Sequence, residues 1–174
     1  FEDLSCVAAQ NFVGGEVVRF ASPRSFLPGQ FSKAVDAVCR LIKEGQGFRG
    51  QATLSRQDDT LDVVAWRHFK DELSGKLVLF GQCASGRNWE GKAGELSPRV
   101  FCESWMIEKP PSPVLKAFFI PHRVDPLRWD FINRRAGIVF DRCRIAYWAS
   151  LTSERLLQEA AMINWCQKVL PLGK

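Results

Sequence analysis

The chain has 174 residues, 46% hydrophobic and 25% charged, with 24 Lys plus Arg against 19 Asp plus Glu and a formal net charge of +5. That balance describes one globular domain, and no apolar run approaches the ~18 residues of a membrane-spanning helix, which argues against a disordered tail, a coiled coil or a transmembrane protein. Arginine makes up 15 of the 24 basic residues, a bias that suits bidentate contacts to phosphate or carboxylate.

In chain order, Phe1, Leu4, Ala8 and Phe12 share one face at helical spacing and Gly14-Gly15 ends the run, which predicts a first helix. Glu16 to Phe20 reads as a short strand, and residues 21–29, with two prolines and a glycine, as a loop. Phe31 to Lys43 predicts a second helix with Val35, Val38, Leu41 and Ile42 inward and Gly45-Gln46-Gly47 as its stop. A polar stretch, Ser55 to Thr60, leads into an apolar run, Leu61 to Trp66, interrupted near its start by Asp62. Leu77 to Ala84 is nearly continuously apolar, as in a strand covered on both faces. Asn88 to Met106 has helical stretches broken by Gly91, Gly94 and Pro98, and Leu115 to Ile120 reads as another buried strand. Residues 126–135 predict a short helix, Gly137 to Phe140 a short strand, and Thr152 to Leu170 a terminal helix capped by Thr152. The alternation describes one α/β domain. The chain opens on Phe1 without a signal-peptide pattern, so it is expected to be a domain of a longer protein.

The six cysteines at 6, 39, 83, 102, 143 and 166 stand singly in apolar surroundings, as expected of buried free thiols in a reducing cytoplasm. With only His68 and His122, and neither at ligand spacing from a cysteine, zinc is disfavoured.

Three polar residues interrupt this apolar framework. Asp62 stands one residue into a buried strand, where a carboxylate is costly unless a hydrogen-bond donor or a divalent cation compensates it. Gln82, at the end of the next strand in GQCASG, offers an amide oxygen that can bind a hard cation without adding charge, or be satisfied by backbone. Glu2, at the start of the first helix, is favoured there by the helix dipole in any case.

In their order, these residues resemble the PD-(D/E)XK nuclease superfamily, and within it the Mrr-type restriction endonucleases. Phe1-Glu2 matches the family's first-helix motif, Asp62 in DDTLDVVAW its metal-binding Asp, and Gln82 in LVLFGQCAS the Gln of its Gln-x-Lys. The resemblance spans roughly residues 1–120, leaving about 121–174 as a C-terminal helical extension. It implies a restriction-endonuclease-like fold, a mixed central sheet flanked by helices. It also implies a metal-dependent DNA endonuclease with Mg²⁺ or Mn²⁺ held by Asp62 and Gln82, supported by Glu2. Such a domain is often the effector of a bacterial antiphage or restriction defence, joined to sensor or regulatory parts outside this chain. A homo-oligomer is a further expectation, because cutting both strands of duplex DNA often uses two copies of one site.

The chain departs from the family where the motif lysine should stand, since Gln-x-Lys here reads Gln82-Cys83-Ala84. Related nucleases supply that lysine from a neighbouring helix, and Lys92 in GRNWEGK is the candidate, with Arg87 a weaker substitute. Without such a cation, the chain would be an inactive nuclease-fold module that binds nucleic acid or a partner protein. For contact with DNA the sequence offers Arg87 and an arginine-rich stretch that includes Arg123, Arg128, Arg134 and Arg135, which could track a phosphate backbone or form a salt-bridged surface.

Overall fold

The computed structural model describes residues 1–50 and 59–151. The first helix, α1 (Glu2–Val13), carries Glu2 and Asp3 in its first turn and stops at Gly14, whose left-handed backbone (φ 65°) suits a residue without Cβ. An edge strand, β1 (Glu16–Arg19), follows, then helix α2 (Phe31–Ile42), which ends on Lys43 in the left-handed conformation. Strands β2 (Val63–Arg67) and β3 (Leu77–Cys83) form an antiparallel pair. Two short helices, α3 (Trp89–Lys92) and α4 (Pro98–Trp105), lead to β4 (Leu115–Phe119). A 3-10 turn (Pro126–Arg128) opens α5 (Trp129–Ala136), and β5 (Ile138–Phe140) and α6 (Arg142–Ala149) complete the described chain. The expected helix over 152–170 lies outside the described residues.

The five strands form one mixed sheet in sequential order, antiparallel from β1 to β3 and parallel from β3 to β5. Alternation along each strand sends Val63, Ala65, Leu79, Ala117, Phe119 and Phe140 to the face covered by α1 and α6. Val64, Trp66, Val78 and Phe80 face the other way, against α2 and α4, with Phe118 and Val139 beside them under α5. The fold is therefore a mixed α/β sandwich with helices on both sides of the sheet, as the sequence led us to expect.

Two details differ from the sequence reading. The buried stripe of α1 is Ser5, Cys6, Ala8, Ala9 and Val13, small residues that let the helix lie close on the sheet. Phe1 and Phe12 are displaced to its flanks, where Phe12 packs edge-on against Phe140 and Trp148. Leu41 of α2 is likewise exposed. The segment beyond residue 120 is no appendage: β5 extends the sheet, Ile145 joins the core under α1, and Asn11 Nδ2 donates to the Trp148 carbonyl at 2.7 Å.

Gly81, in the middle of the sheet, lies beneath the Phe119 ring, and a Cβ there would meet Phe119 Cε2 at 2.5 Å. Gly81→Ala is expected to cost about 1–3 kcal/mol through overpacking, read as a lower midpoint in urea denaturation.

Candidate active site at the end of the sheet

Because β3, β4 and β5 run parallel and β2 runs against β3, the start of β2 and the ends of the other three meet at one end of the sheet. In open α/β sheets ligands bind beyond the carboxyl ends of the strands. Asp62, Gln82, the loop after β4 and Asp141 all belong to this end, and so do Arg19 and the start of α1.

Asp62 leaves the regular ladder. Its amide bonds the Gly81 carbonyl at 2.9 Å, although Gly81 already faces Val63, so two residues of one strand stand against one of the other, the arrangement of a β-bulge. Its carbonyl accepts from Phe20 and Ala21, anchoring the end of β1. Its carboxylate turns onto the end of β3, where Oδ2 accepts the Cys83 N–H at 2.6 Å. The preceding Asp59 is engaged elsewhere, accepting from the Trp105 indole at 2.6 Å, and Asp58 lies outside the described residues.

Gln82 takes another direction. It is 4% exposed, and its Nε2 donates to Glu95 Oε2 at 2.9 Å. Its carbonyl oxygen is buried and has no hydrogen-bond donor among the described residues. A buried amide oxygen left unpaired is costly, and a hard cation is a chemically suitable partner for it. The bland alternative for Gln82, an amide fully satisfied by backbone, does not describe this arrangement.

Glu2 and Asp3 flank Arg19, with Nη1 3.6 Å from Glu2 Oε2 and 3.4 Å from Asp3 Oδ1. These carboxylates and Asp62 share the neighbourhood of two thiols. Burial above all, then Asp3, pushes Cys6 up to about 12, with Glu2 and Asp62 adding in the same direction. Burial and then Asp62 hold Cys83 well above its ordinary value. Burial thus favours the protonated thiol at both positions. The five described cysteines are free, and Cys143 is exposed where the sequence suggested burial.

Among the described residues no three His, Cys, Asp or Glu side chains come together as a metal cage. Magnesium needs no such cage, since it is commonly held by one or two carboxylates with waters and substrate phosphates filling the remaining positions. The structure does not bring Asp62 and Gln82 together for this. The Asp62 carboxylate lies on the α1 side with Cys6 and Cys83, whereas Gln82 alternates with Val78 and Phe80 and turns to the opposite side, toward Glu95, because the bulge reverses the side-chain direction at Asp62.

Ala84, at the place of the family lysine, is 2% exposed and shares a buried cluster with Phe118 and Ala93. Ala93 directly follows Lys92, so the Lys92 segment adjoins the buried cluster that holds Ala84. Lys92 is half-buried, and its ammonium has no hydrogen bond or ion pair among the described residues. Its segment is pinned: Glu90 takes both Nη groups of Arg128 at 2.7 Å, and the Ala93 carbonyl accepts from Lys116 Nζ at 3.0 Å. Lys116 also donates to the Arg135 carbonyl at 2.7 Å, bridging α3 to the end of α5.

The arginines divide by occupation. Arg128 is paired with Glu90, Arg135 lies 5.7 Å from the Phe131 ring, and Arg144 bonds the Val139 carbonyl and covers Trp129. Arg87, Arg123, Arg134 and Arg142 are exposed, and their guanidinium groups make no hydrogen bond or ion pair among the described residues. A cleft of about 510 Å³ beyond β4 and β5 is lined by Arg123 and Arg144 but also by Asp130 and Asp141. Its charges balance, so basic character resides in the individual free arginines. Sequence reasoning missed Glu95, Glu90 and Lys116, whose partners lie 13 or more residues away. The adjacency of Glu90 and Glu95 to Lys92 was the one available signal.

No protein-family model matches the chain, nor does any curated protein or solved structure.

Proposed function

We propose that the chain is a metal-dependent DNA endonuclease domain, acting on duplex DNA as the effector of a bacterial defence system. The observation that supports this reading is the Asp62 carboxylate at the carboxyl end of the sheet, on the same side as Glu2 and Asp3 at the start of α1. Asp62 would hold Mg²⁺ or Mn²⁺ with Glu2 supporting the site from the start of α1, while Gln82, on the other side of the sheet, stands apart from them. When bound, the metal neutralises charge on the phosphate and lowers the pKa of a water. Lys92 then stabilises negative charge developing on the phosphate, the role of the lysine absent at Ala84. Asp62 also holds the end of β3 through the Cys83 amide, so a single side chain links strand geometry to the site. The test is nicking or linearisation of supercoiled plasmid in Mg²⁺ or Mn²⁺, with equal activity in excess EDTA overturning the metal requirement.

Ala84 favours a second reading, a nuclease-fold module that binds nucleic acid or a partner without turnover. Both readings make the free arginines the grip on DNA. Arg123→Ala and Arg134→Ala are each expected to weaken duplex binding and to reduce the slope of log K against log salt by about 0.9. Arg128→Ala is expected to change that slope less, because Glu90 already neutralises Arg128. Fluorescence anisotropy across a salt series measures both, and equal slopes for all three variants would dismiss this division of the arginines.

A further inference from the structure

Among the described residues the sheet is open at β1, which pairs with β2 alone. Phe20 N–H donates to the Asp62 carbonyl at 2.7 Å, so by alternation Val18 and Glu16 also turn their backbone groups toward β2, opposite Val64 and Trp66. Val17 and Arg19 therefore direct their N–H and C=O groups to the free edge, where neither backbone has a hydrogen-bond partner among the described residues. A cleft of about 380 Å³ follows this edge, lined by β1 itself, by Asp3 and Cys6 of α1, by Phe26 and by Leu41 of α2. Phe26 is 84% and Leu41 39% exposed. Unpaired main-chain groups in a cleft with apolar flanks are what an added strand requires.

The charge of the rim selects the occupant. Glu2, Asp3 and Glu16 stand here with Arg19, which lies within 3.6 Å of both Glu2 and Asp3, so this edge is acidic in a chain of net charge +5. A second copy would bring the same acidic rim against itself, whereas an extended segment carrying Lys or Arg complements it. The faces differ as well. Val17 and Arg19 point to the α1 side, with Asp3, while Val18 points to the α2 side, with Leu41.

We propose that the free edge of β1 docks an extended segment of a partner protein in which basic and aliphatic residues alternate. The segment bonds the outward amides and carbonyls of Val17 and Arg19. Residues directly opposite these two share their face, so the basic side chains point toward Asp3 and the aliphatic ones toward Phe26 and Leu41. Such docking does not depend on catalysis by the chain.

The test follows the full chain by NMR while the heptapeptide Lys-Val-Lys-Val-Lys-Val-Lys is added, with thermal melting alongside. Hydrogen exchange of the Val17 and Arg19 amides is expected to slow at least about tenfold. Replacing every lysine of the peptide by glutamate is expected to weaken binding at least about tenfold. Val17→Pro removes an outward donor at an edge position that tolerates proline, so peptide affinity is expected to fall at least about tenfold with the melting temperature unchanged. Equal affinity in wild type and folded Val17→Pro would overturn the proposal, because charge alone would then hold the peptide. Unchanged exchange at Val17 and Arg19 in millimolar peptide would overturn it as well. So would a wild-type dimer that becomes monomeric in Val17→Pro, since the edge would then belong to a second copy. Should Val17→Pro fail to fold, N-methylated peptides decide. Methylation of the lysine amides, which face β1, is expected to abolish binding, and methylation of the valine amides, which face away, to leave it intact; any other pattern overturns the docking.

Discussion

Asp62→Asn is expected to lower the rate of plasmid cutting in Mg²⁺ or Mn²⁺ by about a thousandfold while leaving the domain folded. The magnitude follows from the contribution of a bound metal to phosphoryl chemistry, several kcal/mol of charge stabilisation, at about 1.4 kcal/mol for each tenfold in rate. The choice of asparagine follows from the 2.6 Å bond between Asp62 Oδ2 and the Cys83 amide. An asparagine oxygen can still accept that N–H, so β3 keeps its end and the substitution removes chiefly the charge. Alanine removes the acceptor as well, and loss of a partner for a buried or half-buried amide costs about 1–3 kcal/mol. Lost activity in Asp62→Ala would then mix chemistry with stability. The two variants together separate these effects: both inactive, with only alanine lowering the urea midpoint. Equal cutting by wild type and Asp62→Asn after careful purification would remove Asp62 from the site.

The elements most legible in the sequence are those whose burial follows one simple period. The α2 helix buries Phe31, Ala34, Val35, Val38, Cys39 and Ile42 on one stripe, and β3 is covered on both faces. For α1 the helix was legible but its inward face was not, because small residues allow an approach to the sheet that large apolar residues would prevent. The α6 helix escaped notice for a related reason: RCRIAYWA buries only Ile145 and has no apolar period. Its one local mark was Asp141, whose side chain caps it through the Arg144 amide at 3.0 Å.

At the candidate site, adjacency of Asp62 and Gln82 along neighbouring strands was legible, since β2 and β3 follow one another and pair antiparallel. The direction of each side chain was not. A bulge turns Asp62 onto the Cys83 amide, and a carboxylate 13 residues downstream takes the Gln82 amide nitrogen. Both depend on contacts that spacing along the chain does not specify. The arginine-rich stretch was legible as a concentration of charge, but its division into paired Arg128 and free Arg123 and Arg134 arises only when Glu90 is brought across by the fold.

Lys92→Met is expected to reduce DNA cutting about 10²–10³-fold, the usual consequence of removing one group that stabilises transition-state charge. Stability should change by less than about 0.5 kcal/mol, as for a surface substitution that breaks no bond, because the Lys92 ammonium has no hydrogen bond or ion pair among the described residues. That pairing of a large kinetic effect with an unchanged melting temperature is what distinguishes a displaced lysine from a solvated helix residue. Returning the lysine to the family position tests the same idea from the other side. Ala84 is 2% exposed and belongs to a buried cluster with Phe118 and Ala93, so Ala84→Lys would force a long charged chain into an occupied core and is expected to destabilise the fold by at least about 1–3 kcal/mol. On the proposed reading the cation would instead come from the neighbouring segment, which Arg128 and Lys116 hold in place. Single-turnover cutting by wild type and Lys92→Met, read beside their melting curves, decides the matter. Equal rates would exclude Lys92 from catalysis, and no turnover by either under Mg²⁺ or Mn²⁺, with salt-dependent DNA binding retained, would establish the chain as a binding module.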